Sequence, residues 1–261
     1  MTNFFGRSLL LIATCTVPMV LRAQAGPPLI TDRPDQTESA VVVPRGAFQL
    51  EVGGTHSDAG ARTTNLGGAL LRVGVAAPVE FRLGFAGWHV LAQDPANLSG
   101  FGDLDVGAKV VLTPGNGPSP AVAILGYVTL PVGHEAFGAG GLDPHVRAAL
   151  AHELPGGFGL GYNVGATWTT ETDQTGAESL RTDAIYTVTL GRSLAERLGA
   201  FVEGFGVWGI SAGRDSWHAL DAGLTYALRP NLQLDVAAGL GLSDAAENWF
   251  VGGGISVRLP R

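Results

Sequence analysis

The chain has 261 residues, 46% hydrophobic and 15% charged, with a formal charge of -7. Such an acidic balance excludes the basic footprint expected of a nucleic-acid binder. The single cysteine, Cys15, excludes an internal disulfide, and 39 glycines without a three-residue period exclude collagen.

Residues 1–25 carry Arg7, the mostly apolar run "SLLLIATCTVPMVL" and then "AQA". Charge, apolar core and small-residue cleavage site are the pattern of an exported precursor, so a signal peptide ending at Ala25 is expected. Pro18 and Arg22 interrupt the run, which argues against a retained helical anchor of about 20 apolar residues. Without Arg7 and Arg22 the chain keeps 14 Lys and Arg against 23 Asp and Glu, a charge of -9.

Residues 26–45, "GPPLITDRPDQTESAVVVPR", crowd Asp32, Arg33, Pro34, Asp35 and Glu38 ahead of an alternating run. From 46 onward, period two recurs. In "PVEFRLGF" Val79, Phe81, Leu83 and Phe85 share one face and Glu80 and Arg82 the other. In "GDLDVGAKVVL" Asp103, Asp105 and Lys109 again oppose an apolar face. Twelve strands are predicted: 46–56, 63–75, 79–88, 101–112, 121–130, 143–154, 158–168, 180–192, 198–208, 217–228, 232–242 and 249–259. Their polar faces carry Gln49, Glu51, Arg72, Glu80, Arg82, Asp103, Asp105, Lys109, His145, Arg147, Asn163, Arg181, Asp183, Glu203, Asp221, Gln233 and Asp235.

Alternation alone fits a soluble sandwich as well; the connections discriminate. Short breaks, such as Pro155-Gly156-Gly157 and Arg229-Pro230-Asn231, alternate with longer ones such as 89–100 and 131–142. Short turns on one side and long loops on the other, with an even strand count, predict an all-β, transmembrane antiparallel barrel of about 12 strands over 46–261. Lipid cannot satisfy a sheet's edge groups, so the first strand must pair with the last. Ten residues rising about 3.3 Å each, tilted by roughly 40°, cover about 25 Å of hydrocarbon. Trp88, Trp168, Trp208, Trp217 and Trp249 fall at strand ends beside the longer connections, where an interfacial girdle would place them.

Chemical motifs are sparse. His56, His89, His134, His145, His152 and His218 are dispersed and form no metal-ligand spacing, and "GAGG" at 138–141 lacks the rest of a P-loop. No metal, cofactor or nucleic acid is expected. Ser99, His152 and Asp103 are the candidates for an outer-membrane hydrolase, but their separations are unset and His152 is expected to face lipid. The expectation is therefore no enzyme. Charges tolerable only toward a wet lumen form either a ligand-orienting belt or a wall-stabilising ionic network; both readings stay open. Glu80 and Arg82 are expected to meet Asp103, Asp105 and Lys109 on the next strand.

"ITDRPDQTES" followed by "VPRGAFQLEVG", then "GFGDLDVGAKVVL" and "LPVG" at 130–133, resemble an outer-membrane transporter family associated with meta-pathway phenol degradation, over about residues 29–259. Thr31, Asp32, Arg33, Pro34 and Glu38 match its N-terminal segment, and Pro44, Gly46 and Glu51 its first strand. Gly100, Gly102, Asp103, Lys109, Leu130, Pro131 and Gly133 match its middle motifs. None is a known catalytic residue of that family. The resemblance implies a barrel in a Gram-negative outer membrane, among its lipids and lipopolysaccharide and inserted by the barrel-assembly machinery. It also implies a small, aromatic or hydrophobic solute as cargo. Ending on "VRLPR", the chain departs from the usual aromatic finish. The polar segment 26–45 is then expected to enter or cover the periplasmic mouth, with Asp32 and Arg33 pairing locally or Arg33 meeting Glu51 or Asp105.

Overall fold

The structure, a computed structural model, describes residues 28–116, 119–172 and 175–260. The predicted signal peptide at 1–25 lies outside the described residues. Fourteen strands occur among those described: β1 (Phe48–Asp58), β2 (Arg62–Ala76), β3 (Val79–Phe85), β4 (Trp88–Leu91), β5 (Leu98–Phe101), β6 (Leu104–Asn116), β7 (Ser119–Leu130), β8 (Asp143–Leu154), β9 (Phe158–Thr172), β10 (Glu178–Ala195), β11 (Leu198–Gly209), β12 (Trp217–Arg229), β13 (Leu232–Gly241) and β14 (Trp249–Leu259).

Neighbours pair antiparallel all the way round, and β1 pairs with both β2 and β14, from Phe48 opposite Leu259 to Asp58 opposite Trp249. The sheet is therefore a closed barrel with no free edge among its twelve staves. Twelve and fourteen agree because β3 and β4 both pair with β2 and make one stave, broken at 86–87. Similarly, β5 and β6 make the next stave, pairing with β4 and β3. The predicted segments 79–88 and 101–112 each run across one of these breaks.

Two glycines make the break possible. Gly67 takes φ +70° and is skipped in the β1–β2 register, while Gly87 takes φ +94°. A Cβ on Gly87 would sit 2.8 Å from Asn65 Oδ1, Gly68 N and Leu66 O. Left-handed backbone in so tight a seat is open to glycine and strained for any other residue.

The barrel is turned inside out relative to a soluble protein. Gln49 and Glu51 on β1 are buried while Phe48 and Leu50 beside them are exposed. Likewise Glu80 and Arg82 face in and Phe81 out, Glu203 in and Val202 out, Asp235 in and Val236 out. Apolar side chains toward lipid and polar ones toward the bore are what a membrane barrel requires. The protein is a membrane-spanning β-barrel.

The connections differ in length as expected, with one exception. On one side the turns are 77–78, 155–157, 196–197 and 230–231; on the other they run 92–97, 131–142, 210–216 and 242–248. The link 59–61 on the long side is itself tight, because β1 and β2 continue pairing out to Asp58 and Arg62. All five tryptophans lie at the long-loop end, but they do not all face outward. Trp208 and Trp249 are exposed, and Trp88 stands opposite exposed Leu66 and Phe101. Trp217, by contrast, shares the inward face of β12 with Ala219 and Asp221, and meets Phe205 edge to face at 6.0 Å. An even spacing from Asp221 points its indole into the lumen, so the girdle expected of five residues loses this one.

Candidate functional site

Inward positions on β1, β2, β3 and β6 bring charges from distant parts of the chain to the short-turn half of the bore. Glu51, Arg72, Glu80, Arg82 and Lys109 are each no more than 1% exposed there. Arg72 pairs with Glu51 at 3.1 Å and Glu80 at 3.0 Å, and Arg82 with Glu80 at 2.8 Å. Lys109 lies 3.9 Å from Glu80. Cross-strand register explains this, since Arg72 stands opposite Gln49 and Arg82, and Glu80 opposite Lys109.

Into this cluster runs the N-terminal segment. Asp32 Oδ2 accepts from Arg82 at 2.6 Å, Lys109 at 3.0 Å and Arg72 at 3.2 Å, and its Oδ1 from Ser39 N at 2.8 Å. Glu38 Oε2 accepts from Arg82 at 2.7 Å, and Glu38 Oε1 from Tyr127 Oη at 3.1 Å. Backbone groups are satisfied as well: Arg72 donates to the Val41 and Ile30 carbonyls, Lys109 to that of Ser39, and Val43 N donates to Glu80. Farther round, Glu38 N donates to Asn163, Gln36 N and Thr37 Oγ1 to Glu203, and Gln233 to Thr31 Oγ1. The segment is tied to β1, β2, β3, β6, β7, β9, β10, β11, β13 and β14 and so crosses the bore. An irregular backbone inside a membrane is tolerated on this condition, that the lumen satisfies its amides. Burial alone would raise the pKa of Asp32, yet Arg72, Lys109 and Arg82 outweigh it and hold the carboxyl well below its ordinary value.

Glycine supplies the room. Arg33 passes between Gly53 and Gly254, and a Cβ on either would overlap its guanidinium. Arg33 pairs there with Asp235 at 3.0 Å, a carboxylate of the expected polar face, though with neither Glu51 nor Asp105, and not locally with Asp32. The correction has a geometric cause: Asp32 is claimed by three deeper cations, and Arg33, pointing to the opposite wall, reaches β13. Ala40 covers an apolar patch of the bore, formed by Ala123, Leu125, Tyr127 and Ala149.

Other expected lumen charges are placed differently. Asp103 is not on a strand; it sits between β5 and β6 and accepts from Gly133 N at 2.7 Å and from Ala139 N, holding the connection 131–142. Arg82 therefore finds its acceptors on the segment instead of on Asp103 or Asp105. Arg181 pairs with Glu171 at 3.1 Å, and Arg214 from a long loop bridges Glu171 and Asp183. Asp221 is 6% exposed and neither carboxylate oxygen has a partner. Asp105 and Arg147 border a chamber of about 230 Å³ on the long-loop side of the segment. Sequence reasoning missed Tyr127, Thr37, Thr187, Arg214 and Arg258. Inward parity could have found Tyr127, Thr187 and Arg258, but no local signal marks Thr37 or Arg214.

Ser99, His152 and Asp103 are not brought together. Ser99 stands opposite Val90, His152 meets Tyr162 Oη at 3.2 Å, and Asp103 serves the loop. No serine hydroxyl bonds a histidine ring among the described residues, and these three do not form the Ser-His pair that a hydrolase reading needs.

A family model described as "Putative MetA-pathway of phenol degradation" matches residues 31–259. The chain belongs to this family. Membership in the phenol-degradation family thus covers both the N-terminal segment from Thr31 and the whole barrel. No curated protein matches the chain by sequence. Among solved structures, the NanC porin is 11% identical over 80% of this chain and 98% of its own, with a TM-score of 0.57. The CymD monoaromatic hydrocarbon channel is 10% identical over 83% and 88%, at 0.47. The translocator domain of the autotransporter NalP from Neisseria meningitidis is 11% identical over 81% and 86%, at 0.49. At these identities the likeness to NanC speaks to the fold alone.

Proposed function

We propose that this family member is an outer-membrane channel for small, aromatic or hydrophobic solutes, its periplasmic half closed at rest by residues 28–45. One observation carries the reading. The bore is lined and crossed by polar and charged groups, with a chamber left above the crossing, whereas a purely structural barrel can fill its interior with apolar side chains. On this reading residues 1–25 direct export, the barrel-assembly machinery of a Gram-negative cell inserts residues 46–261, and lipopolysaccharide surrounds the long-loop end. The lumen carboxylates and cations serve as the path and as the anchorage of the segment, without chemical conversion of the solute.

A closed structural or surface-interaction barrel is the second reading, and the segment's crossing of the bore favours it. Liposome flux separates the two. The purified mature chain and a variant lacking residues 28–45 are reconstituted and compared for uptake of phenol, benzoate and uncharged sugars. Flux through the intact chain supports a channel; flux that appears only after the deletion, or in neither preparation, favours the closed barrel.

A further inference from the structure

The chamber above the segment contains charges that are satisfied to very different degrees. Glu38 is held by Arg82 and Tyr127, and Asp105 accepts from Thr129 Oγ1 at 2.5 Å and lies 3.5 Å from His145 Nε2. Arg82 donates to Asp32, Glu38 and Glu80, leaving only its Nε without an acceptor. Arg147 is the exception. Its guanidinium has no hydrogen bond or ion pair among the described residues, and its buried Nε has no acceptor. Asp105 and Glu203 attract it only from longer range. A buried Nε without an acceptor is costly, the rest of the guanidinium stays partly open to the chamber, and its planar fork of donors matches a carboxylate held by two parallel bonds.

Beside Arg147 the wall is aromatic. The rings of Tyr127 and His145 are 5.1 Å apart, and the Arg82 guanidinium lies 5.4 Å from the centre of the Tyr127 ring. A dry protein cavity of about 150 Å³ is known to hold benzene. The chamber, at about 230 Å³, has room for such a ring with one small substituent. Glu38 and Asp105 would repel an anion, but both are already engaged and neither competes for Arg147.

We propose that the chamber is a binding site for a single-ring aromatic carboxylate, with the carboxylate on Arg147 and the ring against Tyr127 and His145. This deepens the channel reading, on which it rests for the ligand's onward path; occupancy of the site itself does not depend on flux.

Calorimetric binding of benzoate, its neutral counterpart benzamide, and acetate to the detergent-solubilised protein tests the proposal, alongside Arg147→Gln and Arg147→Lys. Benzoate is expected to bind at least about tenfold more tightly than benzamide or acetate, since a charge-assisted bidentate contact is worth that much or more. Arg147→Gln removes the preference over benzamide and Arg147→Lys keeps part of it. Equal binding of benzoate and benzamide, or a preference unchanged in Arg147→Gln, overturns the carboxylate half; acetate binding as tightly as benzoate overturns the aromatic half. Heat-modifiable migration reports folding, and if Arg147→Gln does not fold, loss of the preference in a folded Arg147→Lys or its full retention decides instead. Benzoate binding without flux in liposomes would sink the channel reading and leave the site, whereas flux without benzoate preference would do the reverse.

Discussion

Asp32 concentrates much of the segment's electrostatics in one carboxylate, held by Arg72, Arg82 and Lys109 with its side chain only 3% exposed. Replacing it by Asn leaves three buried cations short of a counter-charge, and breaking a buried pair in this way costs about 3–5 kcal/mol. Asp32→Asn is therefore expected to lower the thermal midpoint of the folded barrel or to release the segment; retention of both stability and resting conductance would show that the neighbouring carboxylates suffice. The depressed folded-state pKa of Asp32 gives the sign of a pH effect. Its contribution is complete above the ordinary aspartate value of about 3.9 and is lost as pH falls through the lower folded-state value. Acid titration of single-channel conductance should thus show opening only below about pH 4, and Asp32→Asn should open at neutral pH. A smaller test concerns the seat of Arg33: Gly53→Val should dislodge it from Asp235 and expose the chain near Pro34 to protease, with β1–β14 pairing kept.

At the level of elements, the segment and the barrel are separable in their demands. Strands draw their stability from the inter-strand ladder and their outward apolar faces, and the segment draws its own from lumen hydrogen bonds and ion pairs. Deletion of residues 28–45 should leave heat-modifiable migration intact and raise conductance severalfold; an unchanged conductance would mean that the bore is blocked elsewhere. Much of the strand pattern was legible in the sequence, because a period of two assigns each side chain to lipid or lumen whatever the rest of the chain does. Glu51, Arg72, Glu80 and Lys109 followed from it directly. Asp103 did not, because the stave breaks at 102–103 and the alternation that seemed to include it belongs to two strands. Trp217 was misread for a related reason: its height near a strand end was visible, but its face depended on counting from Asp221.

For the whole molecule, closure and the inverted surface make a prediction of their own. Val202, 57% exposed on β11, stands beside buried Glu203. In a bilayer, Val202→Arg should destabilise by about 2–4 kcal/mol if it lies near the midplane, falling toward zero at the interface. Measured in lipid by reversible denaturant titration, a neutral effect would contradict a lipid-facing wall. Strand order and inside-out polarity together place these residues in a membrane-spanning barrel.

Periodicity, connection length and turn chemistry are local properties, so the sequence by itself determined that strands form, which face is polar and that the sheet closes in a membrane. Partners inside the lumen are another matter. Arg33 meets Asp235 across 202 positions, and Thr37 meets Glu203 across 166. Only closure and the course of the segment bring such residues within reach, because inward-facing side chains from twelve staves all compete for one narrow space. That competition gives Asp32 three cations, sends Arg33 to the far wall and leaves Arg147 without a partner.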